Sequence, residues 1–239
     1  GGDFGSSNKN LQSNVAVGYG AMDGSGALDA TENTFVGKDA GGGTWSAEAH
    51  YNVGIGSLSM DGTNAGASSN VAVGYASLSG NLTAAADNNV AIGSSAGNAI
   101  TSGDSNTIVG SGAGVAITNN SHNVVIGKGA FAIANAGEDY NVIIGSGAGD
   151  AIDTDDSNYN VIIGQDAGIG GGAKMEKCVA IGANSLNTTA ANAQTGTIAI
   201  GYDALTALTT GARNIAIGFE AADGITTGAD NTVIGYQAL

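Results

Sequence analysis

Asn141-Val142-Ile143-Ile144-Gly145 is one of thirteen versions of the same five residues in this chain. Asn14-Val15-Ala16-Val17-Gly18 is the first complete copy and Asn231-Thr232-Val233-Ile234-Gly235 the last. The closing glycines stand at 18, 37, 56, 74, 93, 110, 127, 145, 164, 182, 201, 218 and 235. A period of roughly 17–19 residues marks a stacked repeat, in which each unit buries its apolar side against the next. Residues 1–10 read as a glycine- and serine-rich lead-in, and 11–239 as a single all-β domain, a parallel β-solenoid of about thirteen coils.

Each copy has one grammar. The residue before the closing glycine is always Val or Ile, and the residue three before it is always Val, Ile or Thr. Two β-branched residues at spacing two share one face of a strand, and the expectation is that this face lines the solenoid interior. The residue between them (Ala16, Phe35, Gly54, Ala72, Ala91, Ile108, Val125, Ile143, Ile162, Ala180, Ala199, Ala216, Val233) is apolar or glycine as well. A strand apolar on both faces is covered on both. The row expected to face outward therefore calls for a cover, and a lengthwise partner chain is the simplest one. Three residues past each glycine stands only Ala or Ser, a tight inner position; Ile100, Ile117, Ile152, Leu208 and Ile225, seven past theirs, read as a second inward contact.

Four residues before the glycine stands Asn14, Asn33, Asn52, Asn70, Asn89, Asn106, Asn123, Asn141, Asn160, Asn214 or Asn231, with Cys178 and Thr197 as the exceptions. Stacked coils would set these amides into a hydrogen-bonded ladder. The glycine itself suits a positive-φ corner or a close backbone approach. The rest of each copy is Gly, Ser, Thr, Asn and Asp, which are turn formers, and length varies only there. No stretch carries a helical period. Thirteen coils at strand spacing would make a rod of roughly 60 Å.

Composition excludes several functions. Net charge is −15, with six Lys and Arg against 21 Asp and Glu, so no basic cluster exists to hold nucleic acid or an anionic membrane. Apolar runs are far short of the roughly 20 residues that cross a bilayer, so no membrane insertion is expected. Glycine at 42 residues with no proline argues against collagen and Pro-rich disorder. Cys178 is the single cysteine and offers no disulfide framework. The chain opens Gly1-Gly2 and closes inside a copy, as expected of a processed form or a piece of something longer.

Asn89-Val-Ala-Ile-Gly-Ser-Ser-Ala-Gly97 and Asn231-Thr-Val-Ile-Gly-Tyr-Gln-Ala-Leu239 resemble the repeats of trimeric autotransporter adhesin heads and the related arrays of phage tail fibres. The resemblance spans about residues 11–239. It implies a left-handed β-roll, three chains side by side, exposed at a virion or cell surface. The Tyr-x-x-Leu endings at Tyr75, Tyr202 and Tyr236 resemble the fibre arrays more closely.

Other candidate sites have plainer readings. Gly110-Ser-Gly112-Ala-Gly114 and Gly145-Ser-Gly147-Ala-Gly149 imitate a nucleotide-binding loop, but no helix follows, so they read as turn glycines. Asp153, Asp155 and Asp156, beside Asp150, are calcium candidates by oxygen count, although their spacing favours a solvated acidic loop. His50 and His122 are about four coils apart and cannot share a metal. Trp45 and Tyr51, with His50 between them, could form a glycan contact. No carboxylate pair stands out for polysaccharide cleavage, so no enzyme and no cofactor are expected. The expected function is structural: a homotrimeric tail-fibre segment that meets a glycan or protein receptor outside the cell, with a bacterial adhesin head as the alternative.

Overall fold

Each of the thirteen apolar triplets forms a three-residue β-strand in the computed structural model, which describes residues 12–25, 28–134, 137–152, 154, 156–170, 174–188 and 193–239. The chain divides into two compact units, Gly1–Asn120 and Ser121–Leu239. Both are all-β parallel solenoids. Among the described residues there is no α-helix, only a 3-10 turn at Asp23–Ser25.

In the first unit the strands are β1 (Val15–Val17), β2 (Thr34–Val36), β3 (Trp45–Ala47), β4 (Val53–Ile55), β5 (Asn64–Ala65), β6 (Val71–Val73), β7 (Leu82–Thr83), β8 (Val90–Ile92) and β9 (Thr107–Val109). The triplets stack as a parallel sheet in the order β1-β2-β4-β6-β8-β9. A smaller parallel sheet, β3-β5-β7, runs through the region expected to be turns only. The second unit contains β10 (Val124–Ile126), β11 (Val142–Ile144), β12 (Val161–Ile163), β13 (Met175–Glu176), β14 (Val179–Ile181), β15 (Gln194–Thr195), β16 (Ile198–Ile200), β17 (Ile215–Ile217) and β18 (Thr232–Ile234). Its triplets pair β10-β11-β12-β14-β16-β17-β18, and β13 pairs β15. The extra short strands occur in none of the shortest coils; the longer return segments have room for them.

Register is set by position in the repeat: Ile143 lies beside Ile162, and Ile162 beside Ala180. The Val142 amide donates to the Asn160 carbonyl at 2.9 Å, and the Gly145 amide to the Ile126 carbonyl at 2.7 Å. Each coil thus bonds to both neighbours, as a quasi-one-dimensional stack requires.

The two faces of the strand are the reverse of the expectation. The middle residue points inward: Phe35, Ala72, Ile108, Ile143 and Ile162 are fully buried. The β-branched pair points outward, with Val17, Ile55 and Ile92 all at least 40% exposed. Alternation along a strand says which residues share a face, not which face lies inside. Inner volume decides it. The core is thin, and the inward row carries the size variation that mutual packing needs.

That variation is matched within individual coils. In most coils a large middle residue goes with glycine six positions on (Phe35 with Gly41, Ile108 with Gly114, Ile143 with Gly149, Ile162 with Gly168) or a small one with a large residue (Ala16 with Met22, Gly54 with Met60, Ala72 with Leu78, Ala180 with Leu186); Ala91 with Gly97 and Ala216 with Ala222 are small at both positions, and Val125 with Phe131 large at both. A Cβ on Gly41 would stand 2.7 Å from the Phe35 ring, and one on Gly168 3.0 Å from the Ile162 Cδ1. In these coils interior volume is kept level, as dense packing demands. Ile100, Ile117, Ile152 and Leu208 also point inward, whereas Ile225 is half-buried.

The closing glycine meets both expected requirements. Gly145 has φ +144, and a Cβ there would meet the Gly164 carbonyl oxygen. Two further left-handed positions follow, such as Asp166 (φ 52) and Gly168 (φ 51), and another precedes the ladder residue, such as Tyr159 (φ 61). These bends turn the coil at the ends of its flat strand.

Candidate functional site

The outward face is the distinctive surface of each unit. Its centre is the β-branched pair of every triplet, and two rows border it. The leading row stands five residues before each closing glycine (Tyr51, Tyr140 and Tyr159 among its members), at the left-handed corner that opens the strand. The trailing row directly follows the glycine, as Tyr19, Tyr75, Tyr202, Phe219 and Tyr236 do. All seven tyrosines of the chain occupy these two rows, and all are exposed.

In the second unit the rings stack along each row. Tyr140 and Tyr159 lie 5.2 Å apart and 6° from parallel, with the His122 ring edge-on to Tyr140 at 4.8 Å. Tyr202, Phe219 and Tyr236 stack at 5.3 and 5.4 Å. Rings stacked this way occupy one another's faces and present edges outward. A sugar ring would need a free face, so the interior rings of these stacks are not a glycan platform.

The asparagine ladder is formed. In the first unit the Asn33 amide donates to Asn14 Oδ1, Asn52 to Asn33, Asn70 to Asn52, Asn89 to Asn70 and Asn106 to Asn89, at 2.9 to 3.1 Å. In the second unit Asn141 donates to Asn123, Asn160 to Asn141 and Asn231 to Asn214. Each Nδ2 except that of Asn231 reaches a carbonyl of the next coil, as Asn160 Nδ2 does to Met175 O at 2.8 Å. Both halves of the buried amide are therefore satisfied, which is why Asn and no apolar residue stands there.

The ladder lapses at Cys178 and Thr197. The Cys178 amide still donates to Asn160 Oδ1 at 2.9 Å, but its thiol makes only 3.5 Å contacts to the Glu176 and Gln194 carbonyls. Burial pushes the thiol up to about 11. A thiol this far from ionising is no nucleophile. Among the described residues, Thr197 Oγ1 and the Gln194 side-chain amide are buried without a partner.

The expected glycan contact does not assemble. Trp45 is 6% exposed, its indole donates to the Gly41 carbonyl at 3.1 Å, and its ring stands edge-on to Phe35 at 5.9 Å. It is a core residue of β3 that packs against Phe35. Tyr51 is 56% exposed and belongs to the leading row, with the His50 ring 6.1 Å away. His50 Nδ1 accepts from the Thr31 amide at 3.2 Å. Of the calcium candidates, Asp153 and Asp155 lie outside the described residues, and Asp156 is exposed. No group of three His, Cys, Asp or Glu that could hold a metal exists among the described residues. Asp61 is held above the ordinary carboxylate range by partial burial and by neighbouring Asp39, itself ion-paired to Lys38 at 2.8 Å. Among the described residues no helix is long and apolar enough to cross a membrane.

No family model, curated protein or solved structure matches this chain.

Proposed function

We propose that the protein is a structural and attachment segment, a stiff homotrimeric β-solenoid of a viral tail fibre that carries host-recognition elements to a cell surface. The observation that supports this most is the outward face. A long row of Val, Ile and Thr, uncharged from the ladder asparagine to the closing glycine, is a surface that monomeric proteins rarely leave open. The Tyr-x-x-Leu endings at Tyr75, Tyr202 and Tyr236 favour a fibre over an adhesin head. The mechanism is mechanical and multivalent: hydrogen-bonded coils resist bending, and several copies raise the effective concentration of any receptor-binding element they carry. The trimer is tested by light scattering on the purified chain. The expected mass is about three times 23.0 kDa; a clean monomer would overturn the assembly and, with it, this function.

A further inference from the structure

Two neighbouring rungs of the asparagine ladder are missing, at Cys178 and Thr197, and buried polar atoms surround the gap. At a regular rung the Nδ2 bonds the carbonyl that stands three residues before the next ladder position. Asn141 reaches Ser157 in this way, Asn160 reaches Met175 and Asn214 reaches Gly228, at 2.8 to 3.0 Å. At the two lapses the corresponding carbonyls are those of Gln194 and Gly211. The Cys178 sulfur stands 3.5 Å from the Gln194 carbonyl. The Thr197 amide, which at a regular rung would donate to an asparagine oxygen, faces that sulfur instead. Thr197 Oγ1 bonds nothing, the Gly211 carbonyl included.

Gln194 lies between the two lapses. It is 1% exposed, pairs with Met175 in the adjacent coil, and has no partner at either end of its side-chain amide. Ala30, Ala49, Ala67 and Ala86 hold the same place in their coils and carry nothing that needs a partner. A bare buried amide and a bare buried hydroxyl each cost stability. Apolar side chains suit both positions, since methionine fills the equivalent place at Met175 and valine has the shape of threonine. The groups kept there are complementary to one small molecule. Gln194 Nε2 donates, Gln194 Oε1 and the Gly211 carbonyl accept, and Thr197 Oγ1 does both. A cation would leave Nε2 bare and an anion would leave Oε1 bare. Water serves all of them.

We infer that the ladder lapse binds an internal water, held by Thr197 Oγ1, the Gln194 side-chain amide and the Gly211 carbonyl. Threonine lacks the terminal amide of asparagine, and the water takes the place of that arm in carrying the ladder to the next coil. The site lies inside a single chain and is independent of assembly.

The test is a rotating-frame NOE from water to the Gln194 Nε2 protons, measured on the full chain isotope-labelled at glutamine. Gln194→Met identifies the signal by removing it. The wild-type chain should show the NOE. Thr197→Asn, whose amide reaches the Gly211 carbonyl directly, should lose it while remaining folded. Stability gives a second readout of opposite sign in the wet and dry cases. With water bound, Thr197→Val strands the groups the water served, and the thermal midpoint should fall by about 2–4 °C. Adding Gln194→Met removes the stranded amide and should recover part of that fall, a coupling that a double-mutant cycle reads. In a dry site each substitution relieves a bare polar group by itself, so the midpoint would rise with Thr197→Val. That rise, an absent NOE in the wild-type chain, or an NOE that persists in Thr197→Asn overturns the inference.

Discussion

Replacing Gly127 and Gly129 one at a time by alanine separates the demands on two glycines of a single coil. Gly127 closes its triplet at φ +141, and an added Cβ would run into the Gly145 carbonyl oxygen and stand 2.5 Å from its carbon. Those are backbone atoms of the next coil, fixed by the ladder of amide bonds, so no side chain can move aside. Gly129 has φ +61 and open space around its Cβ. The equivalent position in other coils holds Leu58, Ala76 and Ser95 at φ 60, 49 and 55. At Gly127 the strained φ costs about 1–3 kcal/mol, and separating two coils adds a further 1–3 kcal/mol or so of lost packing. At Gly129 the left-handed cost of about 1 kcal/mol is offset by about 0.4–1 kcal/mol from a less flexible unfolded chain. Guanidinium unfolding followed by circular dichroism should show Gly127→Ala destabilised by roughly 3–5 kcal/mol and Gly129→Ala within about 1 kcal/mol of wild type. Equal effects, or a tolerated Gly127→Ala, would refute the claim that the coils close against one another through this carbonyl.

Two further outcomes follow from the core. Burial raises the Cys178 thiol to about 11, so the folded chain holds a proton that the unfolded chain releases from about pH 9. The stabilisation is complete below pH 9 and declines through pH 11, by up to about 3 kcal/mol relative to Cys178→Ala. Cys178→Asn should remove that alkaline loss and add about 1 kcal/mol by restoring the rung from Asn160 to the Gln194 carbonyl; pH-dependent thermal melts of the three proteins check both statements. Phe35→Ala should cost about 3–5 kcal/mol through the cavity it leaves. Because a Cβ on Gly54 would stand 2.5 Å from the Phe35 ring, Gly54→Ala should damage wild type yet partly repair Phe35→Ala, and a double-mutant cycle measures that coupling.

The period, the strands and the ladder were legible in the sequence because each rests on a strict local rule. Closing glycines at so regular a spacing leave no other architecture open, and an asparagine at one position of nearly every coil can satisfy its amide only by stacking. Which way the strand faces was not legible. Ile143 and Ile144 are the same residue type on opposite faces, and their pattern fixes the alternation without its sign. The sign was present in a longer-range signal, the exchange of bulk between the middle residue and the one six later, as in Phe35 with Gly41 and Ala72 with Leu78. An outward row has no reason to trade volume with a return segment. Trp45 was misread because an aromatic in a polar loop looks exposed, whereas its ring packs edge-on against Phe35 and its indole is satisfied by the Gly41 carbonyl. The tyrosine rows were likewise missed, since their order appears only when all copies are aligned on the closing glycine.

Ile143→Asp and Ile144→Asp, compared by circular dichroism and light scattering, test the orientation on which the interface depends. Ile143 is fully buried and Ile144 lies on the outward face. The account predicts that Ile143→Asp abolishes the β spectrum and the cooperative melt, because it buries an unpaired charge. Ile144→Asp should keep the β spectrum while its mass falls toward that of a single 23.0 kDa chain. A native melt for Ile143→Asp alongside an unfolded Ile144→Asp would show the faces to be the other way round.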